Sequence, residues 1–166
     1  MAGHGRAACL LLCALGLPLP LTAATSTTFQ VSASIVPGCL VVGGGSNYGS
    51  LNYGTFSVLS TSTVSASLAS GVQLQCTPGT TLTMSVDGGQ NNNSGRFMKI
   101  GSGSAVVAYQ LYRDAGLSQT LGVGQSVSVT YSDANNIRLP IYGRVVLPGN
   151  QPVGTYSDTV QVQLTW

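Results

Sequence analysis

The acidic side chains come closest to a catalytic set in this sequence. There is no glutamate and the single histidine is His4. Paired aspartates can act as general acid and base, as in sugar hydrolysis. Each aspartate here stands beside turn residues or an arginine, however, so turn capping and surface pairing are the simpler reading: Asp87, Asp114, Asp133 and Asp158. With one histidine at the extreme N-terminus, no Ser-His-Asp or Cys-His arrangement is expected, and an enzyme is the weakest hypothesis.

Other ligand-binding chemistry is equally sparse. Gly43-Gly44-Gly45 lacks the following lysine and helix of a phosphate-binding loop, and the scattered acids do not form a calcium cluster. We therefore expect no metal and no cofactor. A set of tyrosines could line a sugar-binding surface, although alternate tyrosines on strands are more often core residues or cross-strand pairs: Tyr48, Tyr53, Tyr109, Tyr112 and Tyr142.

The N-terminus has the features of a secretory signal peptide. Arg6 precedes an apolar run over residues 7–17, and small residues end the segment at Thr22-Ala23-Ala24. The run is shorter than the ~20 apolar residues that span a membrane, and Pro18 and Pro20 interrupt it. A short membrane anchor is the alternative. We predict a signal peptide over residues 1–24 and export from the cytoplasm.

Export would place the remaining cysteines in an oxidising compartment, where a disulfide can form. Cys9 and Cys13 lie in the predicted signal peptide, which leaves Cys39 and Cys76 in the exported chain. An even pair in an oxidising compartment indicates a disulfide. Two buried free thiols are the alternative, and two cysteines without histidine cannot complete a tetrahedral metal shell.

The composition limits the function classes further. Charged residues are 6% of the 166-residue chain and the formal net charge is +2. An ordinary domain has roughly a quarter of its residues charged, so this chain lacks the basic stripe that binds nucleic acid. The many β-branched residues argue against a disordered tail or a coiled coil. The length is that of one domain.

Apolar residues alternate along the chain with the period of β-strands. No stretch of ten or more residues has a helical period, and turn sequences rich in Gly, Asn and Pro separate the segments. This pattern predicts an antiparallel β-sandwich. The predicted strand residues are Phe29, Val31, Ala33, Ile35; Val72, Leu74, Cys76; Leu82, Met84, Val86; Val107, Tyr109, Leu111; Val127, Val129, Tyr131; Ile137, Leu139, Ile141; and Val160, Val162, Leu164, Trp166.

The two end segments are unusual. The final predicted strand runs to Trp166, although terminal residues normally fray, so the tryptophan is either held in the sandwich or covered by something else. The first segment, residues 28–35, has no tight hairpin after it. It is either the first strand of the domain or an extension that pairs elsewhere.

Several short motifs follow one another along nearly the whole exported chain. They are Gly38-Cys39, Tyr48-Gly49-Ser50-Leu51-Asn52-Tyr53-Gly54, Val72-Gln73-Leu74-Gln75-Cys76, Asp87-Gly88-Gly89, Arg96-Phe97-Met98, Tyr109-Gln110-Leu111-Tyr112-Arg113-Asp114, Pro140-Ile141-Tyr142-Gly143 and Gly154-Thr155-Tyr156-Ser157-Asp158-Thr159-Val160. In this order and spacing they resemble the spore coat protein U domain family, which includes the major pilin subunits of archaic chaperone–usher pili. The sequence departs from the family pattern in the Gly43-Gly44-Gly45 insert and in its low charge.

The resemblance implies an incomplete immunoglobulin-like sandwich that lacks its final strand. It implies assembly by donor-strand exchange, with a periplasmic chaperone and an outer-membrane usher. The exposed groove would lie beside the last strand, Val160, Val162, Leu164 and Trp166. The donor strand of the next copy would insert Phe29, Val31, Ala33 and Ile35 by β-augmentation.

The resulting expectation is a structural subunit of a cell-surface pilus, with roles in adhesion and biofilm. Its organisation would be a signal peptide (1–24), a donor-strand extension (25–36) and a pilin domain (37–166). The alternative is a monomeric secreted coat protein or carbohydrate-binding module of the same fold, in which the N-terminal strand pairs within its own chain. A setting in a spore coat rather than a pilus also stays open.

Overall fold

The fold is that of a computed structural model, which describes residues 28–45, 47–69, 73–101 and 103–166. Within those ranges every regular element is a β-strand, as the sequence predicts. The strands are β1 (Cys39–Val42), β2 (Thr63–Ser67), β3 (Gln73–Cys76), β4 (Leu82–Val86), β5 (Arg96–Ile100), β6 (Val106–Tyr112), β7 (Val127–Val129), β8 (Tyr142–Val146), β9 (Tyr156–Ser157) and β10 (Val162–Thr165).

The strands form three antiparallel sheets. The largest has the order β2-β8-β6-β5-β9, a second has the order β10-β4-β7, and β1 pairs with β3. On the edge of β3 that faces away from β1, Leu74 exchanges two backbone hydrogen bonds with Ile137, at N···O distances of 3.1 and 3.0 Å. The architecture is the predicted antiparallel sandwich of immunoglobulin-like type.

Alternation of apolar residues along the strands builds the core. On β4, Leu82, Met84 and Val86 are almost fully buried, and the residues between them are half-buried. Side chains from β3, β6 and β7 and from the segment before β8 pack against them. Half-buried apolar side chains around this core include Tyr48, Leu51, Val160, Val162 and Leu164.

Several segments differ from the strands predicted from apolar alternation. Residues 137–141 form one isolated bridge at Ile137 instead of a strand, and Pro140 has no N–H to donate to a ladder. Regular pairing begins one residue after Ile141, with β8. β2 was missed because its sequence, TVSAS, has small polar side chains where apolar alternation would be expected.

The chain divides after Ser34 into two units. The described part of the first, residues 28–34, is in no strand, and its side chains are exposed. The predicted signal peptide and Val72 lie outside the described residues. Among the residues described, no helix is long and apolar enough to cross a membrane.

Candidate functional site

A disulfide joins the first strand to the core. Cys39 of β1 and Cys76 of β3 are opposite each other in the ladder and bonded, with a Cα–Cα distance of 4.0 Å. Cys76 is buried and packs in the core cluster. The predicted pairing of these two cysteines is therefore confirmed, and the bond fixes β1 to the body of the sandwich.

The last strand has a neighbour on one side only among the described strands. β10 pairs with β4, and the Asp87 N–H donates to the Gln161 carbonyl at 3.0 Å. Because hydrogen-bonded residues alternate along an antiparallel pair, Val162 and Leu164 direct their N–H and C=O groups away from β4. These two residues therefore offer a free backbone edge, with half-buried apolar side chains.

A groove of about 700 Å³ opens beside this edge. One wall is the segment 47–51 and the other is the segment 157–162. Its floor reaches core side chains on both large sheets: Val86, Met98, Leu111 and, from the segment before β8, Ile141. Val86, Leu111 and Ile141 are only 0–4% exposed, so the groove is a gap between two segments of the sandwich that leads towards the core without opening it.

The far end of the last strand approaches the start of the first. Trp166 is 57% exposed, so it is not held inside the sandwich. Its indole Nε1 lies 3.8 Å from the position that a Cβ atom of Gly38 would take. The residue before β1 and the residue after β10 therefore lie close together at this end of the sandwich.

Tyr53 fills the sandwich next to the groove. Its ring lies against Gly143 of β8, and its hydroxyl is buried without a hydrogen-bond partner among the described residues. Burial raises the pKa of Tyr53 to about 12. The aromatic-Gly motif at positions 142–143 thus has a packing reason: a side chain at position 143 would occupy the place of the Tyr53 hydroxyl.

Polar contacts fix the wall of the groove that precedes β10. Asp158 accepts hydrogen bonds from the Tyr109 hydroxyl at 2.8 Å and from the Asn91 side-chain amide at 3.0 Å. Asp87 accepts from the Gln161 N–H at 2.8 Å. Burial and the Asp158 carboxylate together raise the pKa of Tyr109 well above its usual range. These contacts hold the groove wall in a defined position.

Arg96 is a buried residue that apolar patterning did not identify. It projects inward from β5 and donates to four backbone carbonyls, those of Val86, Asp87, Leu121 and Gly122, at 2.6–3.2 Å. Burial lowers the pKa of its guanidinium. Arg96 joins the five-stranded sheet to the end of β4, whose Val86 lies in the groove floor. Its only signal in the sequence was the Arg-Phe-Met motif.

The predicted donor residues are not packed. Phe29 is 86% exposed, Val31 is 82% exposed and Ile35 is 96% exposed. Ala33 is exposed as well. The segment thus presents three large apolar side chains at its surface.

The tyrosines do not make one surface. Tyr48, Tyr53 and Tyr109 line the groove. Tyr112 is buried, and the guanidinium of Arg144 lies 5.1 Å from its ring centroid.

Three of the aspartates cap local turns, whereas Asp158 bonds to Tyr109 and Asn91, which are distant in sequence. Asp114 accepts from the N–H groups of Ser118 and Gln119, and these bonds lower its pKa. Asp87 accepts from the Gly89 N–H at 3.0 Å, and Asp133 accepts from the Asn135 N–H at 2.9 Å. These contacts are turn caps, as predicted.

The described residues therefore form an antiparallel sandwich with an open groove beside its last strand. The chain matches the Spore Coat Protein U domain over residues 25–163, and it belongs to that family. It is similar to a chain in the crystal structure of the CsuC-CsuE chaperone-tip adhesion subunit pre-assembly complex from archaic chaperone-usher Csu pili of Acinetobacter baumannii. The identity is 18% and the TM-score is 0.50, covering 80% of this chain and 40% of that one. This likeness is one of fold, and this chain spans 40% of the length of the similar chain. No significant match was found among curated proteins.

Proposed function

We propose that this protein is a structural subunit of a surface pilus, exported through the periplasm, which polymerises by donor-strand exchange. The groove beside the free edge of β10 is the observation that supports it most. An edge with unpaired N–H and C=O groups and half-buried apolar side chains is a template for pairing with another chain. A head-to-tail contact of this kind does not close, so it produces a filament.

The donor segment is residues 28–36 of the next copy. Its inward residues are Phe29, Val31, Ala33 and Ile35, which share one face of an extended chain. Its backbone would bond to Val162 and Leu164. Full insertion of the three large side chains contributes roughly 5–9 kcal/mol of apolar burial.

The family and the similar structure support the proposal that other proteins assist assembly. The similar structure is a complex of a chaperone with a pilus tip adhesion subunit. A periplasmic chaperone that covers the groove before assembly, and an outer-membrane usher, are the partners we propose for this chain. Adhesion and biofilm formation follow as the role of the fibre. The function is structural and does not require catalysis.

The test is a charge placed on either face of the donor segment. Val31→Asp puts a carboxylate on the inserted face, so fibre formation should be lost, as it should with Phe29→Asp. Ser32→Asp is the matched control, because the adjacent side chain points to the opposite face and should leave fibres intact. Fibres are counted by electron microscopy of the cell surface, and the periplasmic subunit is measured by immunoblot.

Normal fibres from Val31→Asp would contradict the proposal. A stable monomer, purified without any chaperone and with its N-terminal segment paired in its own sandwich, would instead support the secreted coat protein or carbohydrate-binding module.

A further inference from the structure

The outer edge of β2 carries a second row of backbone groups that no strand of the described residues pairs with. β2 is the terminal strand of the five-stranded sheet and pairs with β8. The Leu147 N–H donates to Ser62 and the Leu68 N–H to Ile141, so the even-numbered residues of β2 bond to β8. Thr63, Ser65 and Ser67 therefore direct their N–H and C=O groups outward. The next member of this row, Ala69, is paired with Ser50.

The edge of β2 lacks the features that prevent edge strands of different molecules from pairing. Natural edge strands are protected by charged side chains, proline, bulges or shortness. β2 has five residues, all small and neutral. The sequence has no charged residue between Arg6 and Asp87, so none flanks this edge along the chain. By contrast, β9 at the opposite edge has two residues and is followed by Asp158.

The row is complementary to itself. In an antiparallel pair of two β2 strands with the two-fold axis at Ser65, residue 65 faces its own copy and Thr63 faces Ser67. All three positions are then hydrogen-bonded pairs, because their backbone groups already point outward. Serine and threonine across such a pair also bond to each other through their side chains. An isologous contact of this kind closes after two copies.

Two cations lie close to this row: Arg144, and Arg138, which lines a pocket together with Ser67 and Ala69. Arg144 lies opposite Ser65, one strand in from the edge. In the symmetric pair the two Arg144 positions are separated by three strand spacings, roughly 14 Å. This exceeds the Debye length of about 10 Å at moderate salt, so their repulsion is screened.

We propose that β2 edges of two copies pair antiparallel about Ser65 and join neighbouring fibres side by side. This inference rests on the proposed function, because one five-residue contact is weak and gains strength when it repeats along a fibre. The occupant of this edge is therefore a second copy of the chain, and the site is distinct from the groove.

The test is a cysteine at the symmetry axis. Ser65→Cys in assembled fibres should form a disulfide with its own copy, because residues in a hydrogen-bonded pair have Cα atoms about 5.5 Å apart. We expect a dimer band on a non-reducing gel that reduction removes. Ala108→Cys, exposed on β6 two strands from the edge, is the matched control and should stay monomeric.

A charge provides the second readout. Thr63→Lys places an ammonium group on the exposed edge and should convert fibre bundles to single fibres in electron micrographs, with fibre number unchanged. Ala108→Lys should leave the bundles intact. Absence of the Ser65→Cys dimer, or bundles of wild-type width from Thr63→Lys, would overturn the lateral contact while leaving the pilus subunit in place. Absence of fibres from the wild-type chain would overturn both.

Discussion

The hydroxyl oxygen of Tyr53 lies 2.2 Å from the position that a Cβ atom on residue 143 would take. Glycine at 143 therefore makes room for the tyrosine ring between the sheets. Leu51 is close to the same position, at 3.2 Å. The motif around Tyr53 and the motif around Gly143 are separated by ninety residues in the sequence, and they are two halves of one packing contact beside the groove.

Gly143→Ala should destabilise the protein. The added methyl group must displace Tyr53, and overpacking of this kind costs about 1–3 kcal/mol. The free energy of unfolding in urea measures the effect. Gly101→Ala is the control, because nothing lies within 4 Å of a Cβ at that position. Equal stability of the two variants would show that Tyr53 moves aside freely.

The buried tyrosines should make the protein sensitive to alkali. Burial raises the pKa of Tyr53 from its ordinary value of 10.0 to about 12. The unfolded chain then releases this proton first, so stability is lost as the pH rises from 10 towards 12. Tyr53→Phe should reduce that loss, measured as the urea midpoint across this range. It should not reduce stability at neutral pH, because the hydroxyl has no partner. An unchanged alkaline loss would contradict the assignment.

Arg96→Met should be among the most damaging single substitutions. It removes the donors to four carbonyls. The carbonyls of Val86 and Gly122 keep the N–H groups of Gly124 and Gln125, whereas those of Asp87 and Leu121 are left without a donor among the described residues. Each unsatisfied acceptor costs about 1–3 kcal/mol, so we expect a loss of about 2–6 kcal/mol in the free energy of unfolding. Arg144→Met is the control, because its guanidinium makes one side-chain hydrogen bond, to Gln110. A loss no larger than that of Arg144→Met would show that water replaces the lost donors.

Cys76→Ser should lower the yield of exported protein. The bridge closes a loop with a sequence separation of 37 residues. The chain-entropy model gives such a loop roughly 4 kcal/mol of stabilisation. Cys9→Ser, within the predicted signal peptide, removes a thiol without affecting the bridge. Immunoblots of the exported fraction should show a loss for position 76 only, and equal yields would mean that β1 is held adequately by its hydrogen bonds to β3.

Apolar alternation identified only some of the strands with a buried face. β4, β6, β7 and β10 each lie where alternating apolar residues predict them. β1, β2, β5, β8 and β9 were not found in this way. β2 is small and polar, and β5 directs Arg96 inward where patterning expects an apolar residue.

The groove was predictable only in part. The resemblance located its bordering strand, but long-range packing sets its floor. The contacts of Tyr53 with Gly143 and of Asp158 with Tyr109 join segments far apart in sequence, and no local pattern encodes such distances. The free row on β2 depends on which residues bond to β8, a matter of register that a Ser/Thr-rich strand does not specify.

The position of the disulfide determines how a fibre would carry mechanical load. If residues 28–36 are anchored in a neighbouring subunit, a pull along the fibre enters the sandwich through Gly38 and reaches Cys39 first. The bridge passes that force to Cys76, a buried residue of β3, through covalent bonds. The hydrogen bonds between β1 and β3 therefore do not carry this force. A stretched subunit would first unfold in another part of the sandwich.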